Sequence, residues 1–104
     1  MKKNILIIHY NTPYLTECLV RSINLFVKDT KIFIFDNSTD KPFTAKFDNV
    51  TIFDNTKGQI INFDKWLSNY PNRKMSGGSR NYWGSAKHCI SVEKGMELID
   101  GNFI

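Results

Sequence analysis

Long hydrophobic runs are missing from this sequence, and cysteine and histidine are scarce. After residues 1–4 only four apolar residues precede His9, which is too few for a signal peptide or a membrane span. The two cysteines, Cys18 and Cys89, lack C-x-x-C spacing, and neither His9 nor His88 has ligand spacing with them. We therefore expect no zinc site, reduced and partly buried thiols, and a cytosolic protein.

Glycine-rich phosphate loops are missing too. No G-x-G-x-x-G follows the first apolar run, so an ordinary dinucleotide-binding fold is not expected. Gly77, Gly78 and Gly84 do not complete G-x-x-x-x-G-K-[ST], because no Lys-Ser or Lys-Thr pair stands at the required place. The spacing suggests no Ser-His-Asp arrangement either. Function has to be inferred from the order of the strands and helices and from the residues where they end.

Acidic residues are absent from residues 71–88, which hold four basic side chains, Arg73, Lys74, Arg80 and Lys87. This segment alone accounts for the net charge of +4, so the remaining residues sum to zero. Two interpretations stay open: the segment binds a phosphate or an anionic membrane surface, or it is a solvated loop. With 104 residues and 41% hydrophobic side chains, we expect one domain with a small core.

Two continuous apolar runs, residues 5–8 and 32–35, are typical of strands covered on both faces. Between them the sequence predicts a helix from Pro13, with Thr12 as its N-cap, to near Lys28. The apolar face of this helix is predicted to hold Leu15, Leu19, Ser22, Ile23 and Phe26. The three elements form a β-α-β unit, which is almost always right-handed with parallel strands.

Further elements follow along the chain. The sequence predicts a third strand over 50–53, a short helix over 63–69, a loop over 71–83 and a second long helix over 85–99. The apolar stripe of the long helix is predicted to hold Cys89, Val92, Met96 and Ile99, and Gly101 is expected to end it. Residues 102–104 resemble the start of another strand, so we expect the sequence to stop before the domain is complete. The predicted fold is α/β, a Rossmann-like three-layer sandwich with a mostly parallel sheet.

Polar and aromatic residues follow the first two predicted strands, where ligands of parallel sheets bind. His9, Tyr10 and Asn11 follow the first strand, and Asp36 and Asn37 follow the second. An aromatic ring, two amides and a carboxylate suit a nucleobase and its ribose. The alternatives are that Asp36 and Asn37 form an Asx turn and that Tyr10 is wedged against the next helix.

Several of these segments together resemble a known family. Residues 5–12 (ILIIHYNT), 18–23 (CLVRSI) and 34–40 (IFDNSTD) resemble the opening of family 2 glycosyltransferases. That opening is a strand ending in Tyr-Asn, a helix with Leu-x-x-Ser-Ile and a strand ending in Asp-Asn-x-Ser. Residues 83–89 (WGSAKHC), the helix after them and residues 100–104 (DGNFI) are similar to the family's approach to its metal-binding strand. The resemblance covers nearly the whole chain.

The resemblance implies a GT-A fold and a uridine or guanosine diphosphate sugar as donor. Tyr10 would lie by the base, Asp36 would bond the base or ribose, and Lys87, or failing that Arg80, would stand near the nucleotide. The basic segment would then face the diphosphate. The implied nucleotide-binding set is Ile8, His9, Tyr10, Asn11, Asp36, Asn37, Lys87 and Arg80, in which Ile8 and His9 offer backbone groups.

The sequence departs from the family at its C-terminus. The Asp-x-Asp element follows the strand that would begin at Phe103, and the catalytic base and acceptor site lie further on, so none is present. We therefore expect no catalytic residue here, an inactive chain by itself, and Mg²⁺ or Mn²⁺ bound only by the longer protein. Residues 55–80 have no clear counterpart, although 55–58 resemble a turn near the nucleotide.

The expected partners are the nucleotide-diphosphate sugar and, in the longer protein, an acceptor glycan or lipid-linked glycan. We expect no nucleic-acid partner, and we allow for peripheral association with the inner face of the membrane. The alternative function is a non-catalytic Rossmann-like α/β domain that uses the same strand edge to bind a nucleotide or another protein.

Overall fold

The computed structural model describes residues 3–44, 46–68 and 79–99, and the side chains of 66–68 and 79–85 are not described. Its elements in chain order are β1 (Lys3–His9), α1 (Pro13–Phe26), β2 (Thr30–Asp36), β3 (Val50–Asp54), α2 (Phe63–Ser68) and α3 (Ser79–Leu98). Each strand and helix predicted within these ranges is present, with bounds that differ at the ends. Within this part of the chain no helix is long and apolar enough to cross a membrane.

The three strands form one parallel sheet in the order β1-β2-β3. The register pairs His9 with Asp36 and Asp36 with Asp54, so all three strands end level with one another. This confirms the parallel pairing predicted for the first two strands. It also brings the residues that follow each strand to a single edge of the sheet.

The two faces of the sheet are covered by different helices, because successive side chains of a strand point to opposite faces. On one face Val20 of α1 joins the fully buried Ile32 and Ile34 of β2 in a core that also contains Phe43 of the connector after β2. On the other face Gly95 of α3 lies against Leu6 of β1. The domain is thus a small α/β fold with helices on both faces, which is compatible with the predicted Rossmann-like architecture.

Helix α1 faces the sheet with different residues from those predicted. Thr16 and Val20 are buried, and Ile23 packs against the core, whereas Leu15 is 66% exposed and Phe26 is 80% exposed. Of the predicted face only Ile23 is correct. The reason is that apolar residues surround much of this helix, and one residue of shift turns the buried face by about 100°.

The ends of α1 follow local backbone chemistry. Thr12 occupies the predicted N-cap position, but its side chain makes no capping hydrogen bond. The helix ends at Phe26 rather than near Lys28, because Val27 is already extended and Asp29 adopts a positive φ of 56°. This left-handed residue turns the chain into β2.

Helix α3 begins earlier than predicted, at Ser79, so the predicted loop over 71–83 is wrong for residues 79–83. No proline or glycine interrupts 79–83, and the prediction gave too much weight to the glycines on either side. The helix ends at Leu98, close to the predicted bound at residue 99. The remainder of the loop, Gly101 and residues 102–104 lie outside the described residues, as does Asn69 at the predicted end of α2.

The buried face of α3 is built on small residues. Ser91 and Gly95 are buried with Ile99, while Cys89 and Met96 of the predicted stripe are exposed. Ile99 of the predicted stripe is therefore correct, but a stripe chosen for apolar side chains did not include the small residues Ser91 and Gly95. Cys18 is also exposed, so both thiols are free but not partly buried as predicted.

Candidate functional site

A cleft of about 700 Å³ lies at the carboxyl edge of the sheet. It is bounded by the residues after the three strands, by the turn that follows β3, and by α2 and α3. Its lining residues are Ile8, Tyr10, Asn37, Thr39, Asn55, Thr56, Lys57, Gly58, Ile61, Asn62, Phe63, Asp64, Lys87 and His88. Four residues of the predicted nucleotide-binding set therefore line one cavity, and the turn at 55–58 forms another side of it.

Tyr10 is the exposed aromatic residue of this cleft. It follows β1 directly, and 59% of it is accessible to solvent. A tyrosine wedged under the next helix would be buried, so this alternative interpretation is wrong. A ring with an open face can stack on a planar ligand while its hydroxyl stays hydrated.

His9 and Asp36 are buried and do not line the cleft. The His9 ring pairs through Nδ1 with the Thr16 hydroxyl at 2.6 Å and through Nε2 with the Lys41 carbonyl at 3.4 Å. Because a carbonyl only accepts, Nε2 is the donor in the contact with Lys41. The His9 carbonyl accepts the Asn37 N–H at 2.9 Å, so His9 holds β1, α1 and the connector together.

Asp36 forms the Asx turn that the sequence left open as an alternative. Its Oδ1 accepts the Ser38 N–H at 2.9 Å, and its Oδ2 accepts the Phe43 N–H at 2.8 Å. Asp36 itself is only 1% exposed. Both carboxylate oxygens thus organise the connector after β2, and the predicted contact of Asp36 with a base or ribose has no geometric support.

Asn11 ties the loop after β1 to the loop after β2 and does not line the cleft. Its Oδ1 accepts three successive backbone N–H groups, those of residues 39–41, at 2.9 to 3.1 Å. Its own N–H donates to the Ser38 hydroxyl at 2.9 Å. Asparagine suits this position because its φ of 50° lies in the left-handed region.

A hydrogen-bonded relay crosses the floor of the cleft from β3 to α3. The Asn55 Nδ2 donates to Asn37 Oδ1 at 2.8 Å, and the Asn37 Nδ2 donates to Ser91 Oγ at 2.8 Å. The Ser91 hydroxyl then donates to the Lys87 carbonyl at 2.7 Å. We call Asn55, Asn37 and Ser91 the amide relay.

Neither Asn55 nor Ser91 belongs to the predicted nucleotide-binding set, although Asn55 lies in the turn over 55–58 that was expected near the nucleotide. A signal for Asn55 was present, because Asp54-Asn55 repeats the Asp36-Asn37 pair at the end of the neighbouring strand. Asn55 is 5% exposed, and its Oδ1 accepts the N–H groups of Ile60 and Ile61 at 2.9 and 2.7 Å. It therefore shapes the turn that forms one wall of the cleft. Ser91 gives no such signal in the sequence, because only tertiary packing brings it next to Asn37.

Two lysines give the cleft its positive charge. The Lys87 ammonium lies 5.6 Å from the centre of the Phe63 ring, which keeps this side chain beside the cavity. Lys57 stands on the turn after β3. Arg80 lies on α3, but its side chain is outside the described residues, as are Arg73 and Lys74. Whether the whole basic segment faces the cleft stays a prediction.

The turn that carries Lys57 is anchored by Asp54. The Thr56 hydroxyl and N–H both donate to Asp54 Oδ1, at 2.6 and 2.9 Å. These two bonds, and to a smaller extent the charge of Lys57, hold the pKa of Asp54 below its ordinary value of 3.8. The carboxylate thus stabilises the turn in its charged form.

No group of three or more His, Cys, Asp or Glu side chains able to hold a metal occurs among residues 3–44, 46–68 and 79–99. The cleft itself contributes only Asp64 and His88 of these types. The expected Mg²⁺ or Mn²⁺ therefore stays a prediction. Comparisons with protein-family models, curated proteins and solved structures found no match to this chain.

Proposed function

We propose that this chain binds the nucleotide of a nucleoside diphosphate sugar and is part of a glycosyltransferase of the family 2 type. In this proposal Tyr10 stacks on the base, Asn37 and Asn55 lie at its polar edge, and Lys57 and Lys87 meet the diphosphate. The sugar is then transferred to an acceptor such as a polysaccharide or a glycolipid. No catalytic residue is assigned to this chain.

One observation carries the proposal: a single cleft joins the exposed ring of Tyr10, three side-chain amides and the two lysines Lys57 and Lys87. Aromatic rings bind base faces, amides pair with base edges, and lysines bind phosphate oxygens. A volume of about 700 Å³ is within the usual range for a small-molecule site. The cleft also lies outside the carboxyl ends of parallel strands, where α/β sheets bind their ligands.

The resemblance of residues 5–12, 18–23 and 34–40 to family 2 glycosyltransferases supports the same proposal. The proposal differs from the sequence prediction in one respect. Asp36, His9 and Asn11 support the loops around the cleft, and the direct contacts fall to Tyr10, Asn37 and the turn after β3. In the segment Asp36-Asn37-Ser38-Thr39, Asp36 is then structural and Asn37 faces the ligand.

Titration of the ¹⁵N-labelled protein with UDP and GDP tests the proposal. We expect backbone amide signals of Tyr10, Thr56 and Lys87 to move at about 1 mM ligand or below. Signals of Asn24 and Asn49, at the opposite edge of the sheet, serve as an internal control. No movement in the millimolar range, or movement centred on Asn24 and Asn49, would show that this cleft is not a nucleotide site.

A further inference from the structure

The amide relay has only one possible direction. At one end the Ile60 and Ile61 N–H groups donate to Asn55, so the atom that they meet must be its oxygen. The other amide atom of Asn55 is therefore the NH₂, which donates to the Asn37 oxygen. At the far end the Lys87 carbonyl only accepts, so the Ser91 hydroxyl donates to it and accepts from Asn37.

Asn37 is the member of the relay whose orientation matters to a ligand, because it is half-buried and lines the cleft. A side-chain amide has two N–H donors and an oxygen with two lone pairs. The relay uses one donor and one lone pair of Asn37. One N–H and one lone pair of Asn37 remain for a ligand. Because Asn55 and Ser91 together fix the orientation of the amide, this donor and this acceptor cannot exchange places.

We propose that Asn37, oriented by Asn55 and Ser91, is a specificity-determining residue that selects a base by the order of donor and acceptor along its edge. This inference rests on the proposed function, since it concerns the same cleft. It predicts a preference between two bases of equal shape and opposite polarity. An asparagine free to turn over would pair with both.

Uracil and cytosine are the matched probes. Both are pyrimidines of the same shape, but uracil offers a carbonyl at position 4 and an N–H at position 3, whereas cytosine offers an amino group and a ring nitrogen acceptor. A fixed amide therefore fits one of them and opposes the other. The proposed uridine donor sets the direction of the preference and a bidentate amide–base pair sets its size, so we expect UDP to bind about tenfold more tightly than CDP.

The substitution Asn55→Asp should reverse the orientation of the Asn37 amide while it keeps a side chain of the same shape at position 55. One carboxylate oxygen still accepts the N–H groups of Ile60 and Ile61, and the other now accepts where an NH₂ previously donated. Asn37 then has to present its NH₂ to Asp and its oxygen to the Ser91 hydroxyl, which must give up its bond to the Lys87 carbonyl because it has a single proton. The remaining donor and lone pair exchange places in the cleft.

The matched control is Asn49→Asp, the same substitution at the other end of the same strand. Asn49 precedes β3 and bonds to Asn24 and Thr30, far from the cleft lining. Isothermal titration of UDP and CDP gives the ratio of the two dissociation constants for each protein. We expect that ratio to fall by about tenfold or more in Asn55→Asp and to stay unchanged in Asn49→Asp.

The outcomes separate this inference from the proposed function. Wild-type protein that binds neither UDP, CDP nor GDP overturns both. Wild-type protein that binds UDP and CDP equally, or a folded Asn55→Asp variant that keeps the wild-type ratio, overturns only the role of Asn37.

A second measurement covers the case in which Asn55→Asp does not fold. In the wild-type protein the side-chain NH₂ signals of Asn37 should move with UDP, while those of Asn24 should not. Side-chain signals of Asn37 that stay in place while the Tyr10 backbone signal moves would overturn the inference without any variant.

Discussion

Gly95 of α3 lies directly against Leu6 of β1, and a Cβ atom at Gly95 would stand 2.6 Å from Leu6 Cδ2 and 2.9 Å from Cδ1. This contact sets how closely α3 approaches the sheet. The same helix carries Ser91 and Lys87, which join the floor and wall of the cleft. The distance between α3 and β1 therefore bears on the site as well as on the core.

Gly95→Ala should destabilise the domain through this contact. Overpacking costs about 1–3 kcal/mol, and the better helix propensity of alanine offsets about 1 kcal/mol of it. We expect a net loss of about 1 kcal/mol, measured by urea denaturation. In a Leu6→Ala background the clash is gone, so Gly95→Ala should stabilise. A stabilising effect in the wild-type background would contradict the predicted cost, because the Leu6 side chain would then move aside easily.

Replacing Asn11 should separate its two roles, backbone conformation and loop clamp. Asn11→Gly keeps the positive φ but loses the oxygen that accepts the N–H groups of residues 39–41. Asn11→Ala loses both, and the left-handed conformation adds about 1 kcal/mol to its cost. Denaturation midpoints should therefore fall in the order wild type, glycine, alanine. If the Asn11→Ala variant were at least as stable as Asn11→Gly, residue 11 would not have the left-handed conformation.

The strands of the fold were predictable, and the reason lies in their composition. Residues 5–8 and 32–35 are continuous apolar runs, and Ile32 and Ile34 prove fully buried. The buried face of α1 was not predictable, because Leu15 and Leu19 are as apolar as Val20 and only the sheet selects among them.

The candidate site was predictable in outline but not in its contacts. Strand order alone brings Tyr10 and Asn37 to one edge. The sequence pattern does not show whether the Asp36 carboxylate accepts from backbone N–H groups or binds a ligand, because carboxylates that follow strands commonly do either. Ser91 lies 54 residues from Asn37, and no local rule links them.

Tyr10→Ala should weaken nucleotide binding without unfolding the protein, because the side chain is largely exposed. Loss of one base–aromatic stack costs about 1–3 kcal/mol, so the dissociation constant for UDP should rise about tenfold. Tyr14→Ala is the matched control, since Tyr14 is 76% exposed on α1 and does not line the cleft. Calorimetric titrations that show equal losses for both variants would rule out stacking at Tyr10.

Asp54 should make a pH-dependent contribution to stability. Because the Thr56 bonds lower its pKa in the folded state, the contribution is present above the ordinary value of 3.8 and is lost as pH falls through the lower folded pKa. The difference in unfolding free energy between wild type and Asp54→Ala should therefore shrink as the pH is lowered from about 6 to about 2. Urea denaturation at these two pH values measures it. A difference that grows toward low pH would have the wrong sign.

Lys87→Gln should separate binding of the diphosphate from binding of the base. Loss of the ammonium removes a charge-assisted contact to phosphate, so affinity for UDP should fall about tenfold while affinity for uridine stays the same. Lys94→Gln is the control, because Lys94 lies on the same helix, pairs with Glu97 at 3.4 Å and does not line the cleft. The UDP loss in Lys87→Gln should also diminish at high salt, because the contact is open to solvent ions. Equal losses for UDP and uridine would instead mean that Lys87 supports the fold of the cleft, through Phe63, rather than the phosphate.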